Sequence, residues 1–181
     1  NYNYYFYEND DVWQSTDRQA GDKLRSYLFM HQCAEKDQIW AQSAEMIGYM
    51  RFDEVAQWAD TTRGHRGEAY KEFKERTAEH YISILEQSFP GIRSAIEDYE
   101  TSSPLTYRDY TATQNGSMYG IIRDKNFPTQ TLVSQRTKIP NLFLTGQNIN
   151  SHGILGVTIG AALTCAEFLG LNKIIDEIES Y

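Results

Sequence analysis

The chain has 181 residues and a mass of 20.9 kDa, a length that suits one domain or one domain with part of another. Hydrophobic residues make up 40% of it and there are only four prolines, which excludes disordered and fibrous proteins. The formal net charge of −8 at pH 7 excludes a protein that neutralises nucleic-acid phosphates over a broad face.

The two cysteines and the amino terminus indicate the cellular context. Cys33 and Cys165 lack the CxxC or Cys/His spacing of a zinc site, and we expect two reduced, half-buried thiols. The chain begins at Asn1 without a Met or an apolar leader, so we expect a processed or excised piece without a signal peptide. We therefore expect a cytoplasmic location, and peripheral contact with a membrane stays open as an alternative.

The first fifty residues have the pattern of β-strands. Three runs rich in aromatic and aliphatic side chains, Asn3–Glu8, Ser26–Cys33 and Trp40–Met50, predict strands. The polar stretch Ala34–Gln38 is typical of a hairpin connection between the second and the third run. The sequence therefore predicts an antiparallel sheet.

From Phe52 the apolar spacing becomes helical. Phe52, Val55 and Ala59 repeat at i, i+3 and i+7 and predict a helix, which a polar loop follows. A longer helix is predicted over Gly67–Ser88, because its apolar side chains share one side and charged side chains occupy the rest. We expect this helix to pack on the sheet through the residues of its apolar side: Tyr70, Phe73, Thr77, Tyr81 and Ile84.

The middle of the chain combines one helix signal with turn and loop signals. Ile92–Thr101 is compatible with a short strand or with an irregular connection. Ser103-Pro104 indicates the start of a helix, with Ser as the N-cap and Pro at the first helical position. Asn115-Gly116 predicts a turn, and the segment from there to Pro140 is rich in loop residues.

The end of the chain is more apolar. Asn141–Gly146 predicts a short buried strand, and Gly153–Leu169 predicts a helix that is apolar nearly all round and therefore buried on every side. A membrane span is the rival interpretation, but the run is short for a span and contains Glu167. Asn172–Ser180 predicts a terminal amphipathic helix of a turn or two.

The glycine-rich start of the last long helix is the most informative feature. Glycines there let a ligand approach the backbone closely, and the free N–H groups and the helix dipole favour negative charge. The gap between Gly146 and Gly153 is too long for the GxGxxG fingerprint of dinucleotide binding. An equally good interpretation is that Gly156 and Gly160 allow tight helix packing, and the residues by themselves leave both open.

Neither histidines nor aromatic residues identify a site by themselves. His31, His65, His80 and His152 have no metal-ligand spacing, so no metal centre is predicted, although His152 lies beside the glycine-rich helix start. The 13 Tyr, 8 Phe and 3 Trp fit either an ordinary sheet core or the wall of a wide apolar cavity.

Two blocks of the sequence have a recognisable pattern. The first block runs from Ser103-Pro104 through Tyr110 and Asn115-Gly116 to Tyr119-Gly120. The second, more specific block is Ile139–Asn148 together with Gly153–Thr158. Together they resemble the C-terminal part of FAD-dependent phytoene desaturases, carotenoid isomerases and retinol saturases. The resemblance covers residues from about Trp58 to Leu169 well and the first fifty residues weakly.

The resemblance implies an FAD site at the terminal strand and helix and a substrate cavity for an isoprenoid or retinoid-like compound. In that family the residue after the strand-end Gly contacts the ribityl chain, and the helix start lies near the pyrimidine end of the isoalloxazine. The implied cofactor residues are Gly146, Gln147, Asn148, Gly153, Leu155, Gly156, Val157 and Thr158. The implied substrate residues are Tyr107, Tyr119 and Gly120.

The resemblance also implies that the chain is incomplete. The family binds ADP through an N-terminal GxGxxG unit that this sequence lacks, so we expect the C-terminal fragment of a longer oxidoreductase, inactive and colourless alone. We expect an α+β fold, with residues 1–138 in a substrate domain and 139–181 in the last piece of the FAD domain. The alternative is an independent domain that binds an apolar ligand or a partner protein and never holds flavin.

Overall fold

A computed structural model describes residues 2–11, 24–33, 39–121, 123–124 and 126–180. It confirms the α+β class, with a three-stranded antiparallel sheet and five α-helices in the described ranges. The chain forms two compact units, Asn1–Gly116 and Ser117–Tyr181. The predicted division of the parent protein into domains at residue 138 stays a prediction.

The sheet consists of β1 (Asn3–Tyr7), β2 (Ser26–Gln32) and β3 (Ser43–Gly48), in that spatial order. The three predicted strands are therefore present, although the third begins at Ser43 rather than Trp40 because Ile39 and Trp40 are exposed and unpaired in the sheet. The predicted hairpin connection at 34–38 lies outside the described residues. The central strand supplies the buried side chains, since every residue of β1 is exposed.

The prediction of one helix that begins at Phe52 is wrong. Two separate 3₁₀ turns, Phe52–Glu54 and Ala56–Trp58, occupy the predicted stripe. Val55 interrupts them with φ −120° and is fully buried, so its side chain is positioned by packing rather than by helical periodicity. The backbone N–H of Arg51 donates to the Glu54 carboxylate at 2.9 Å and fixes the start of the first turn.

The long helix α1 (Glu68–Ser88) has the predicted extent, but it packs against two different clusters. In its second half, Leu85 lies in a buried cluster with Tyr27 and Phe29 of β2. In its first half, Tyr70 is buried with Val55 and Leu105. The expectation that Tyr70 and Phe73 pack on the sheet is therefore wrong, because the segments before and after α1 cover that half of it.

Beyond α1 the chain forms two shorter helices. The ambiguous segment at 92–101 begins as α2 (Ile92–Ala95) and continues without regular structure. Helix α3 (Pro104–Thr111) begins as predicted, with Ser103 as the N-cap and Pro104 at the first position. The predicted turn at Asn115-Gly116 is also present, as part of a 3₁₀ turn.

The second unit contains α4 (Gly153–Leu169) and α5 (Leu171–Glu179), close to the predicted bounds. The predicted buried strand at 141–146 is wrong: an isolated β-bridge joins Arg136 to Phe143, and most of the segment is exposed. The complete burial of α4 is wrong too, since Gly156 is its one buried residue. The helix has enough apolar surface to be buried on every side, but the described part of the chain leaves most of that surface exposed.

Candidate functional site

The predicted cofactor residues cluster where the loop at 146–152 leads into α4. Gly146 has φ +99° and Gly153 has φ +76°, conformations that side chains other than glycine rarely adopt. A Cβ atom built on either glycine would meet no described atom within 4 Å. The backbone at both positions is therefore open to close approach by a ligand.

An arginine and an asparagine fix this loop. The Arg123 side chain donates to the carbonyl oxygen of Ile149 at 3.3 Å and to Oδ1 of Asn150 at 2.9 Å. The Asn150 amide also pairs with the backbone of Val133, accepting from its N–H at 3.1 Å and donating to its carbonyl at 2.6 Å. These side chains hold the loop against the preceding segment, a role that no motif in the sequence indicated.

The first turn of α4 combines unused hydrogen-bond donors with exposed apolar side chains. His152 is the N-cap residue, but its side chain makes no capping hydrogen bond to the helix. Ile154 is 92% exposed and Leu155 is 74% exposed. A group with an apolar ring and a negatively charged edge fits this combination, because the ring can cover the side chains while the edge faces the helix N-terminus. The residues present therefore fit an isoalloxazine.

Gly156 has a structural role within the chain itself. A Cβ atom at this position would lie 2.7 Å from Cβ and 2.8 Å from the carbonyl carbon of Ser151, distances that real Cβ atoms essentially never show. The glycine therefore lets the loop lie directly against α4. A role of Gly156 in flavin binding stays a prediction, and substitution there would disturb the loop whether or not a ligand binds.

The other predicted cofactor residues lie at the same end of the second unit. Gln147 is half-buried, whereas Asn148, Val157 and Thr158 are exposed. The Thr158 hydroxyl donates to the Ile154 carbonyl oxygen at 2.8 Å, one turn earlier in α4. Thr158 is therefore already hydrogen bonded within the helix, while Asn148 is open to solvent.

The predicted substrate residues fall in both units. Tyr119 lies in the second unit, where its ring centroid is 4.3 Å from that of His152. Gly120 packs so closely on the backbone of Asn148 that a Cβ atom would lie 2.4 Å from the Cα atom there. Tyr107 lies in the first unit, half-buried in a cleft of about 640 Å³. Their role in substrate binding stays a prediction.

No cluster of three or more His, Cys, Asp or Glu residues that could hold a metal occurs in the part of the chain that the structure describes. Of the two cysteines, Cys33 is half-buried as predicted, but Cys165 is exposed because α4 is largely uncovered. Among the described helices, none combines the length and the apolar character needed to cross a membrane.

Comparison with known proteins identifies relatives of one kind. The chain is 29% identical over 189 residues to an all-trans-retinol 13,14-reductase of Macaca fascicularis, a match that covers 96% of this chain and 31% of the relative. The corresponding values are 28% over 190 residues for the Homo sapiens protein and 25% over 188 residues for the Danio rerio protein, with 96% and 94% of this chain covered.

No protein-family profile and no solved structure matches the chain. The chain spans about 30% of the length of the curated relatives it matches. The predicted resemblance to retinol saturases is confirmed: the chain is homologous to one segment of the all-trans-retinol 13,14-reductases.

Proposed function

We propose that the chain is one part of a longer FAD-dependent oxidoreductase that transfers hydrogen at a carbon–carbon bond of an apolar, retinoid-like substrate. The observation that carries the proposal is the 25–29% identity to all-trans-retinol 13,14-reductases over at least 94% of this chain. The name of those relatives gives retinol as the substrate and a reduction as the reaction. Their greater length supports the view that further sequence completes the site.

The contribution of this chain to flavin binding would come from the start of α4 and the loop before it. The free N–H groups of the first turn would face the negative charge of a reduced flavin, and Leu155 would cover apolar ring surface. Gly146 and Gln147 would allow the backbone to lie close to the cofactor. When bound, FAD would supply the hydride that the reduction of a carbon–carbon double bond requires.

The chain alone would neither retain flavin nor catalyse the reaction. The sequence has no GxGxxG motif to bind the pyrophosphate, and one loop with one helix terminus would cover only a small part of FAD. We expect the purified chain to be colourless when its absorbance is measured in the flavin region. Stoichiometric flavin in the purified chain would contradict the proposal that the site is incomplete.

The decisive experiment introduces Leu155→Glu into the full-length protein. Leu155 is exposed within this chain, so the substitution leaves the packing of the described residues unchanged, yet it puts a carboxylate against the apolar ring surface that Leu155 would cover. We expect flavin content to fall from stoichiometric to near zero, with circular dichroism unchanged. The matched control is Ile178→Glu on α5, also an exposed apolar residue of a helix, which should retain flavin.

The same experiment tests the alternative function. An independent apolar-ligand or protein-interaction domain would contain no flavin in either variant or in the unmodified full-length protein. A Leu155→Glu protein with full flavin content would show that the start of α4 does not contact the cofactor.

A further inference from the structure

The first unit contains a cleft whose chemistry differs from that of an apolar cavity. Its volume is about 640 Å³, and it lies between the loop before α1, the first half of α1 and α3. Its wall contains aromatic and hydroxyl side chains. Its charged residues are four basic ones and two acidic ones: Arg63, Arg66, Lys71, Lys74, Glu100 and Asp109.

One acidic group of the cleft is neutralised by the protein itself. Asp109 forms an ion pair with Arg66, whose side chain is only 6% exposed, and another with Arg108 at 3.0 Å. Arg66 is held in place because its guanidinium donates to the carbonyl oxygens of Trp58 at 3.1 Å and Thr61 at 2.9 Å. Asp109 is therefore already paired and does not offset the positive charge of Arg63, Lys71 or Lys74, which leaves Glu100 as the other acidic side chain of the wall.

Two of those basic side chains rest on aromatic rings. The Arg63 guanidinium carbon lies 4.4 Å from the centroid of the Tyr110 ring, and Nζ of Lys74 lies 5.9 Å from that of Tyr70. A ring face orients a cation without neutralising its charge. A guanidinium that lies over a ring also keeps its N–H donors in its own plane, where an oxyanion can accept from them.

Lys71 is, after Arg63 and Lys74, the third basic side chain of the cleft that Asp109 does not pair with. Its Nζ lies 2.7 Å from a Glu68 carboxylate oxygen, but both side chains are largely exposed, so this ion pair is weak. Thr101 and Ser102, which have hydroxyl side chains, also line the cleft. Cations beside hydroxyl donors are the groups with which proteins bind phosphate.

We propose that this cleft binds the phosphate group of a small organic phosphate, with Arg63 and Lys74 as its principal cationic contacts. The lining has two more basic than acidic residues, although the chain as a whole has a net charge of −8. This excess is opposite in sign to the charge of up to −2 on a phosphate monoester at neutral pH. Tyr107 and Tyr110 line the same cleft and would contact the organic part of the ligand. A wholly apolar ligand would instead leave these cations unpaired.

Isothermal titration calorimetry of this chain with phenyl phosphate tests the proposal, with phenol as the uncharged probe. We expect saturable binding of phenyl phosphate and none of phenol. Arg63→Ala and Lys74→Ala should each weaken binding about tenfold, which corresponds to about 1.4 kcal/mol. The control Arg76→Ala removes an exposed cation of α1 that does not line the cleft, so it should bind like the unmodified chain.

A second arm determines the source of the phosphate. Co-sedimentation with phosphatidylcholine vesicles, with and without phosphatidic acid, shows whether the site accepts a lipid headgroup. Binding that requires phosphatidic acid and is lost in Lys74→Ala identifies a membrane source, whereas binding of phenyl phosphate alone identifies a soluble ligand. Either result supports a phosphate site.

Two results would overturn the proposal. One is the absence of saturable binding of both phenyl phosphate and phosphatidic acid vesicles to the unmodified chain. The other is equal binding by the unmodified chain and both cleft variants. Thermal unfolding followed by circular dichroism checks that each variant folds, and Lys74→Gln, which keeps most of the aliphatic side chain, replaces Lys74→Ala if the latter does not.

Discussion

The hydroxyl group of Ser103 makes two hydrogen bonds that join α3 to α1. It accepts from the backbone N–H of Leu105 at 3.2 Å, which caps the helix, and it is hydrogen bonded to the Tyr70 hydroxyl at 2.7 Å. Both side chains are buried. Replacing Ser103 by Ala therefore removes a helix cap and leaves the phenol of Tyr70 without this partner.

The expected cost follows from these two losses. Replacing an N-cap serine by Ala costs about 1 kcal/mol. A buried hydroxyl that loses its partner costs about 1–3 kcal/mol. We therefore expect Ser103→Ala to lower the free energy of unfolding by about 2–4 kcal/mol. Tyr70→Phe should cost only about 1 kcal/mol, because Ser103 still caps α3 in that variant.

Urea unfolding followed by far-ultraviolet circular dichroism measures these differences, and a double-mutant cycle separates them. The Ser103→Ala/Tyr70→Phe protein has lost the phenol hydroxyl as well, so it keeps the loss of the Leu105 cap but no longer contains a hydroxyl without its partner. We expect this double variant to be more stable than Ser103→Ala alone. If the two substitutions prove additive, so that the double variant is the least stable of the set, the hydrogen bond between the two hydroxyls does not contribute as argued.

Two further predictions concern a buried side chain and an ionised carboxylate of the first unit. Leu105→Ala should lower the free energy of unfolding by about 2–5 kcal/mol, because this side chain is fully buried, whereas exposed Leu132→Ala should stay within about 0.5 kcal/mol; urea titration compares them. Hydrogen bonds from the N–H groups of Gly91 and Arg93 lower the pKa of Glu86 in the folded chain. The ionised Glu86 carboxylate therefore stabilises the fold fully above the pKa that it has in the unfolded chain, and this stabilisation is lost as pH falls through its pKa in the folded chain. Stability measured below about pH 4.3 should therefore decline more steeply in the unmodified chain than in Glu86→Gln, and equal slopes would contradict this role.

Several elements could be predicted because their signals are local in sequence. Ser103 and Pro104 specify the start of α3 through bonds within one helical turn, and Gly153 marks the start of α4. The extent of α1 follows from a sustained helical pattern. In each case the signal lies within the helix or beside its boundary, so neighbouring sequence was sufficient.

The position of the candidate flavin site stays a prediction, and the sequence did not show how its residues are held in place. The resemblance located it at the loop and start of α4, and the structure brings those residues together. Arg123 and Asn150 were missed, because an isolated Arg and Asn in a loop-rich segment have no characteristic spacing. The sequence left two roles of Gly156 open: the close approach of Ser151 shows its packing role, and its role in flavin binding stays a prediction.

The sequence by itself determined the α+β class, the three strands of the sheet and the long helices of this protein, because hydrophobic period and capping residues act over a few positions. The tertiary structure alone decided which surfaces those elements bury. It divided α1 between two clusters, left α4 exposed and brought Arg63 and Lys74 into a cleft with Tyr110. Such outcomes depend on contacts between residues that are distant in sequence. An apolar side chain can be buried against many surfaces, and a charged one can pair with many partners, so the local pattern does not show which contact forms.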